Sequence, residues 1–490
     1  MNQVKNSFYL VLSCYNARKS FYELRCFDFL KLCGGFVLTD MSQHFGWGKL
    51  IRFVLPSIAT MIFTSIYGIV DGLFISNFAG KTSFAAVNFI MPMVMILSTS
   101  GFMVGSGGSA IVGKTRGEGD DAKANRQFSL FVIFAFALGV VLMIIGMFIA
   151  YPVAQAMGAT GDMLDEAALY GRIVLISLPF FALQYVFQSF FVTAGKPRLG
   201  FVVTVIAGVM NMFLDFLFVG VFGWGVVGAA VATNISEILG GAIPIIYFLR
   251  PNSSALRLCK THLNWGEIGH ACINGSSELM TNIAVSVVSI LYNIQLLILA
   301  GENGVSAFGV CMYVSMIFSA IFMGYCMGSA PLMSFQYGAR NTHEMQNLLK
   351  KGVLFVAIGG IAMFAASQAS ATLVADAFAG YDEGLHEMTE HAFRLQSIAF
   401  ALMGYSMYAS SLFTALGNGL VSAFISFIRT LVFEIAAIYL LPLVLGVDGL
   451  WLAWPTSELL AMGVSAVLVL SLGNNYGILP PKKQTMQYSS

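Results

Sequence analysis

The chain alternates long apolar runs with short polar breaks. A helix needs about 20 apolar residues to cross a bilayer. Twelve runs qualify: 52–78, 84–112, 127–151, 168–192, 199–221, 225–249, 271–299, 305–336, 349–375, 392–416, 420–445 and 449–472. The pattern predicts an all-α polytopic membrane protein with twelve transmembrane helices. A polar stretch divides the runs six and six. The chain therefore reads as an N-terminal extension (1–44), an N-lobe (45–250), an inter-lobe loop (251–270), a C-lobe (271–475) and a tail (476–490).

The halves repeat each other in a register of 221 residues. Ala79-Gly80 meets Ala300-Gly301, Ala86 meets Ala307, Gly117 meets Gly338, and Thr193-Ala194 meets Thr414-Ala415. Gly228 meets Gly449, and Ala232, Ser236 and Glu237 meet Ala453, Ser457 and Glu458. An even number of spans per copy brings both copies in from the same side. Two parallel six-helix repeats around a central cleft, related by an axis along the membrane normal, are the expected architecture, and this is a common build of secondary transporters.

Composition fits that reading. Hydrophobic residues make up 58% and charged residues 10% of the chain, where soluble domains carry about a quarter charged residues. The formal net charge of +1 leaves no basic surface for nucleic acid. Basic residues mark alternate loops: Lys114, Arg116, Lys123 and Arg126; Lys196 and Arg198; Arg250, Arg257 and Lys260; Arg340, Lys350 and Lys351; and Lys482 and Lys483 in the tail. The other loops are nearly bare or acidic. By the positive-inside rule both termini face the cytoplasm in a multi-pass cytoplasmic membrane protein. Residues 1–40 contain no long span and no clear cleavage site, and Met41 opens a segment that resembles a cytoplasmic start, so the expected native start is Met41. The seven cysteines show no metal or disulfide spacing and read as packing residues.

The informative residues are the ionisable ones inside the runs, because each costs several kcal/mol unless it faces a cavity or a partner. They are Asp71, Asp215 and Glu237 in the first copy, and Glu278, Arg429, Glu434 and Glu458 in the second. Asn211 and Asp215 are four apart and share one helix face, as do Ala229 and Thr233. If these faces converge with Asp71, their oxygens surround one point suited to a hard cation or a proton. The alternative is plain helix-to-helix hydrogen bonding. Glu278 is either a cavity carboxylate that attracts lipophilic cations or a helix N-terminal acid. Arg429 and Glu434 suggest an internal ion-pair network, and Glu237 and Glu458 leave gating and structural use open. Tyr185, with Phe180, Phe181 and Phe187, and Met323, with Met327 and Met333, line either an adaptable cavity or a lipid face.

These residues carry a resemblance to the multidrug and toxic compound extrusion (MATE) family over most of 45–475. It rests on Leu55-Pro56 followed by Val70-Asp71-Gly72, on Gly117-Glu118-Gly119-Asp120 and its repeat Gly338-Ala339-Arg340-Asn341, on Asn211-Met212-Phe213-Leu214-Asp215, and on Gly228-Ala229-Ala230-Val231-Ala232-Thr233. The resemblance implies a cation site at Asp71, Asn211, Asp215 and Thr233, lined by Ala229. It implies a helix-1 hinge at Pro56 and a cavity acid at Glu278. It also implies coupling to Na⁺ or H⁺, no further cofactor, drug-like small-molecule substrates, and a monomer in the lipid bilayer. The second copy departs from the pattern, with Ser277 at the place of Pro56 and Tyr292 at the place of Asp71. Cation coupling is therefore expected in the N-lobe alone. The rival reading is a lipid-linked saccharide flippase of the same superfamily, which needs cationic cavity residues to meet phosphates. An enzyme is disfavoured, since the six histidines form no His-x-x-x-His or Cys-His cluster.

Overall fold

The computed structural model describes residues 39–75, 78, 81–156, 158–380 and 382–479. Expectations for residues 1–38, for Ala79-Gly80 and for the tail lysines lie outside the described residues. The described residues are helical without strands. The first six long helices are α1 (Trp47–Phe74), α2 (Lys81–Gly117), α3 (Asp121–Ala156), α4 (Asp162–Val174, continued by Leu178–Thr193), α5 (Pro197–Asp215) and α6 (Gly225–Leu249). A short helix, Trp265–Asn274, then leads into one helical stretch of 63 residues, Ser276–Gly338. At ~1.5 Å per residue that stretch would run about 95 Å, three times the ~30 Å hydrocarbon core. It is two spans, α7 and α8, divided at Gly301, whose φ of 65° and ψ of −157° break the helix. Glycine reaches that left-handed region without a Cβ clash. The remaining helices are α9 (Thr342–Ala379), α10 (Glu383–Gln396, continued by Ile398–Ala415), α11 (Gly419–Phe427, continued to Leu445) and α12 (Ala453–Leu472). Eleven continuous stretches among the described residues are long and apolar enough to cross a membrane, and dividing one at Gly301 gives the expected twelve.

The repeat is visible in packing. An added Cβ on Gly117 would stand 2.0 Å from the Phe335 carbonyl oxygen, and one on Gly338 would stand 2.0 Å from the Lys114 oxygen. Gly117 and Gly338 are repeat equivalents, and so are Lys114 and Phe335. Gly113 closes on Ser334, its own equivalent. Contacts made by a residue and its image lie on a twofold axis. Thus α2 and α8 cross on the pseudo-twofold axis, at the end of the bundle that carries Lys114 and Arg116. The lack of side chains at these glycines lets the two backbones touch. Gly107 against Gly275 is repeated by Gly328 against Val54. The kink of α4 at the 3₁₀ turn Leu175–Ser177 recurs in α10 at Ser397.

Each lobe has its own core. Ile75, Ile90, Val94, Leu164, Val174 and Leu175 build that of the N-lobe. Tyr292, Phe322, Val356, Phe393, Phe400 and Trp451 build that of the C-lobe. Helix α1 bridges them. Leu50, Phe53, Val54 and Ile58 pack in the C-lobe cluster, while Ile75, just past the end of α1, packs in the N-lobe. Pro56 sits inside this unbroken helix, and its carbonyl accepts a 2.8 Å bond from the Thr60 hydroxyl.

A candidate cation site in the N-terminal lobe

Helix α5 packs against both α1 and α6, which brings three polar faces together. The carboxyls of Asp71 on α1 and Asp215 at the end of α5 lie side by side. Asp215 is fully buried, and Asn211, one turn earlier on the same face, is 3% exposed. Directly after Asp215 the backbone widens into a π-helical turn, Phe216–Val221, a local irregularity common at functional sites. On α6, Ala229 is buried without exposure and the Thr233 hydroxyl is buried four residues on. Among the described residues, Oδ1 of Asp71, both oxygens of Asp215 and the Thr233 hydroxyl have no hydrogen-bond donor. Buried oxygens are nearly always paired, so a cluster without donors points to a ligand that supplies positive charge. Oxygens of this type suit an alkali cation or a shared proton.

Two tyrosines join the cluster that sequence reasoning missed. Tyr170 of α4 lies within electrostatic reach of Asp71, Asp215 and Glu237, and its buried hydroxyl has no partner. Tyr67 lies near Asp71 and Glu237. Tyr67 was within reach of inspection, since it precedes Asp71 by one helical turn. Tyr170 carried no local signal. No Lys, Arg or His joins this cluster among the described residues.

Glu237 on α6 has a structural partner. The Ser177 hydroxyl donates to it at 2.5 Å and to Asn234 Oδ1 at 2.6 Å, and Asn234 Nδ2 donates to the Ile173 carbonyl at 2.7 Å. The last of these satisfies a backbone carbonyl where α4 kinks. Tyr185 is half-buried and packs against Phe102 and Phe181.

The C-lobe is built differently. Tyr292, at the position of Asp71, is buried and stacks on Phe308 at 4.8 Å. Val432, Ala436 and Trp454 stand at the positions of Asn211, Asp215 and Thr233. Arg429 lies in a second π-helical turn, Ile428–Phe433. Its direct ion-pair partner is Glu458, with Nε to Oε1 at 3.9 Å, and Glu434 belongs to the same network. Glu458 also accepts from Ser406 at 2.8 Å and Trp454 at 3.3 Å. Glu434 and Glu278 lie within electrostatic reach of Arg429. Glu278 occupies the first turn of α7 and is half-buried. Met323 is 38% exposed on α8.

Two parallel lobes, each of six membrane-length helices, with a partnerless acidic cluster in one, define a polytopic membrane protein of the transporter class. The chain belongs to the MATE family: the MatE family model matches it twice, over 56–217 and 279–440, once in each repeat. The multidrug export protein MepA of Staphylococcus aureus strain MRSA252 is 22% identical over 430 residues, covering 86% of this chain and 93% of that one. MepA of Staphylococcus saprophyticus is 25% identical over 317 residues, covering 63% of this chain and 68% of that one. Among solved structures, an outward-facing MATE family transporter of the MOP superfamily superposes with a TM-score of 0.82 at 21% identity, covering 87% of this chain and 96% of its own. A MATE structure described as the bent conformation gives 0.80 at 21% identity, with the same coverage.

Proposed function

We propose that this protein is a cation-coupled antiporter that exports bulky, often cationic amphiphilic compounds across the cytoplasmic membrane by alternating access. The observation that carries the proposal is the side-by-side pair Asp71 and Asp215, whose buried oxygens have no donor or basic neighbour among the described residues. Two ionised carboxylates at close range repel, and a proton or Na⁺ held between them removes the repulsion. Asn211 and Thr233 supply neutral oxygens to the same site. Ion and exported compound favour different lobe arrangements, so each shifts the equilibrium against the other. The named MepA relatives are multidrug export proteins, which supports drug-like organic molecules as the cargo. The basic residues of the alternate loops support cytoplasmic termini by the positive-inside rule, and a monomer is the expected working state. It catalyses no bond chemistry.

A lipid-linked saccharide flippase fits less well. Arg429 is the sole basic residue in the middle of a predicted span, and it is engaged with Glu458. The test is efflux of an organic cation such as ethidium from everted vesicles, with a Na⁺ gradient and a pH gradient imposed in turn. One gradient should drive uptake into the vesicles. Failure of both to drive it overturns the proposal.

A further inference from the structure

Helix α1 starts without a cap of its own. Gly46 precedes it and offers no side-chain acceptor to its free N–H groups, which an isolated helix leaves to water or to a neighbour. The opposite lobe instead binds the residues that lead into the helix. Glu344, in the first turn of α9 and 2% exposed, accepts from the Phe45 backbone N–H at 2.9 Å and pairs with His44 Nδ1 at 2.6 Å. Gln336 at the end of α8 donates to the Met41 carbonyl at 2.6 Å. Asn347 donates to the Phe45 carbonyl at 3.2 Å, and the Lys351 ammonium donates to the same oxygen. Met41 and Phe45 are 1% and 2% exposed, and Arg116 of α2 reaches the Met41 sulfur at 3.9 Å. This segment thus joins N-lobe helix α1 to C-lobe helices α8 and α9 beside the α2–α8 crossing.

The equivalent place in the other repeat is different. There the inter-lobe loop lies along α3, with Cys259 N–H to Ser129 at 2.9 Å and Arg257 N–H to Asn125 at 2.8 Å. That loop also carries the covalent connection between the lobes. The equivalents of Gln336, Glu344, Asn347 and Lys351 are Thr115, Lys123, Arg126 and Leu130, so this set of bonding side chains exists in one copy only.

We infer that Asp40–Trp47 is a clasp, with Glu344 as its latch, which holds the two lobes closed at the basic end and must release for that end to open. The inference borrows from the alternating-access reading only the idea that the lobes separate there. Its test reads lobe position without substrate or gradient, so the outcome is independent of cation coupling.

Spin labels at Arg198 and Lys350, exposed residues of the two lobes at that end, report the separation by pulsed dipolar spectroscopy on the purified full chain. Glu344→Ala should raise the ratio of long to short distances at least about tenfold, since it removes the charge-assisted bonds to both the Phe45 N–H and His44. His44→Ala should shift it the same way by less. An unchanged distance distribution in folded Glu344→Ala overturns the inference. If Glu344→Ala does not fold, His44→Ala and Lys351→Met, at largely surface-reaching side chains, decide by the same criterion.

Discussion

Substituting Gly117 by alanine tests the pseudo-symmetric crossing directly. The new Cβ would stand 2.0 Å from the Phe335 carbonyl oxygen and 2.8 Å from the Ala339 nitrogen, against an ordinary contact of 3.4 Å or more. Both obstacles are backbone atoms of a helix, so no side chain can swing aside. The two helices must part by about 1.4 Å. Overpacking of this kind costs about 1–3 kcal/mol. The strain exists only while α2 and α8 touch, and it is relieved when the lobes separate. The equilibrium should therefore move toward the state open at the basic end by about 5- to 150-fold. A Val54→Cys reporter, buried against Gly328 at the α1–α8 contact, gives the assay. Its alkylation by a maleimide should speed up by that factor in Gly117→Ala. Gly309→Ala is the control, because no atom lies within 4 Å of the added Cβ. That exchange should stabilise its helix by about 1 kcal/mol and leave alkylation unchanged. If both variants label at the parent rate, the crossing is not the tight contact described.

Glu458→Ala should leave the Arg429 guanidinium buried without its partner and destabilise the protein by about 3–5 kcal/mol. The double variant Arg429→Met with Glu458→Met should recover most of that loss, as read by thermal unfolding in detergent. Asn341 caps α9 by accepting from the Glu344 N–H at 3.1 Å. Asn341→Ala should cost about 1 kcal/mol, visible as a lowered midpoint in the same assay. Asp71→Asn and Asp215→Asn should each abolish drug resistance in cells while membrane abundance, measured by immunoblot, stays at the parent level.

The spans were legible because apolar length alone identifies a membrane helix, and the repeat because identical residues recur in one register. Parallel symmetry followed from an even span count, and the Gly117–Gly338 contact gives it a physical form. The central acids were legible for the same reason: Asp71 and Asp215 are too costly in lipid to sit there idle. What stayed hidden depends on distance along the chain. His44 and Glu344 are 300 residues apart, and nothing local marks either as a partner. Arg429 suggested Glu434 by proximity in sequence, but α12 packs against that part of α11 and presents Glu458. Tyr170 reaches the acids only because α4 turns into the bundle, a matter of packing that its neighbours in sequence do not announce.

The central claim is that Asp71 and Asp215 together hold the coupling ion. Purified protein in liposomes, challenged with an inward-directed ethidium gradient, allows the counter-movement of ²²Na⁺ or of protons to be counted against ethidium transported. The parent protein should move one of the two ions in fixed ratio, and Asp71→Asn and Asp215→Asn should each lose that ion movement. Unchanged ion-to-ethidium ratios in both variants would contradict the account.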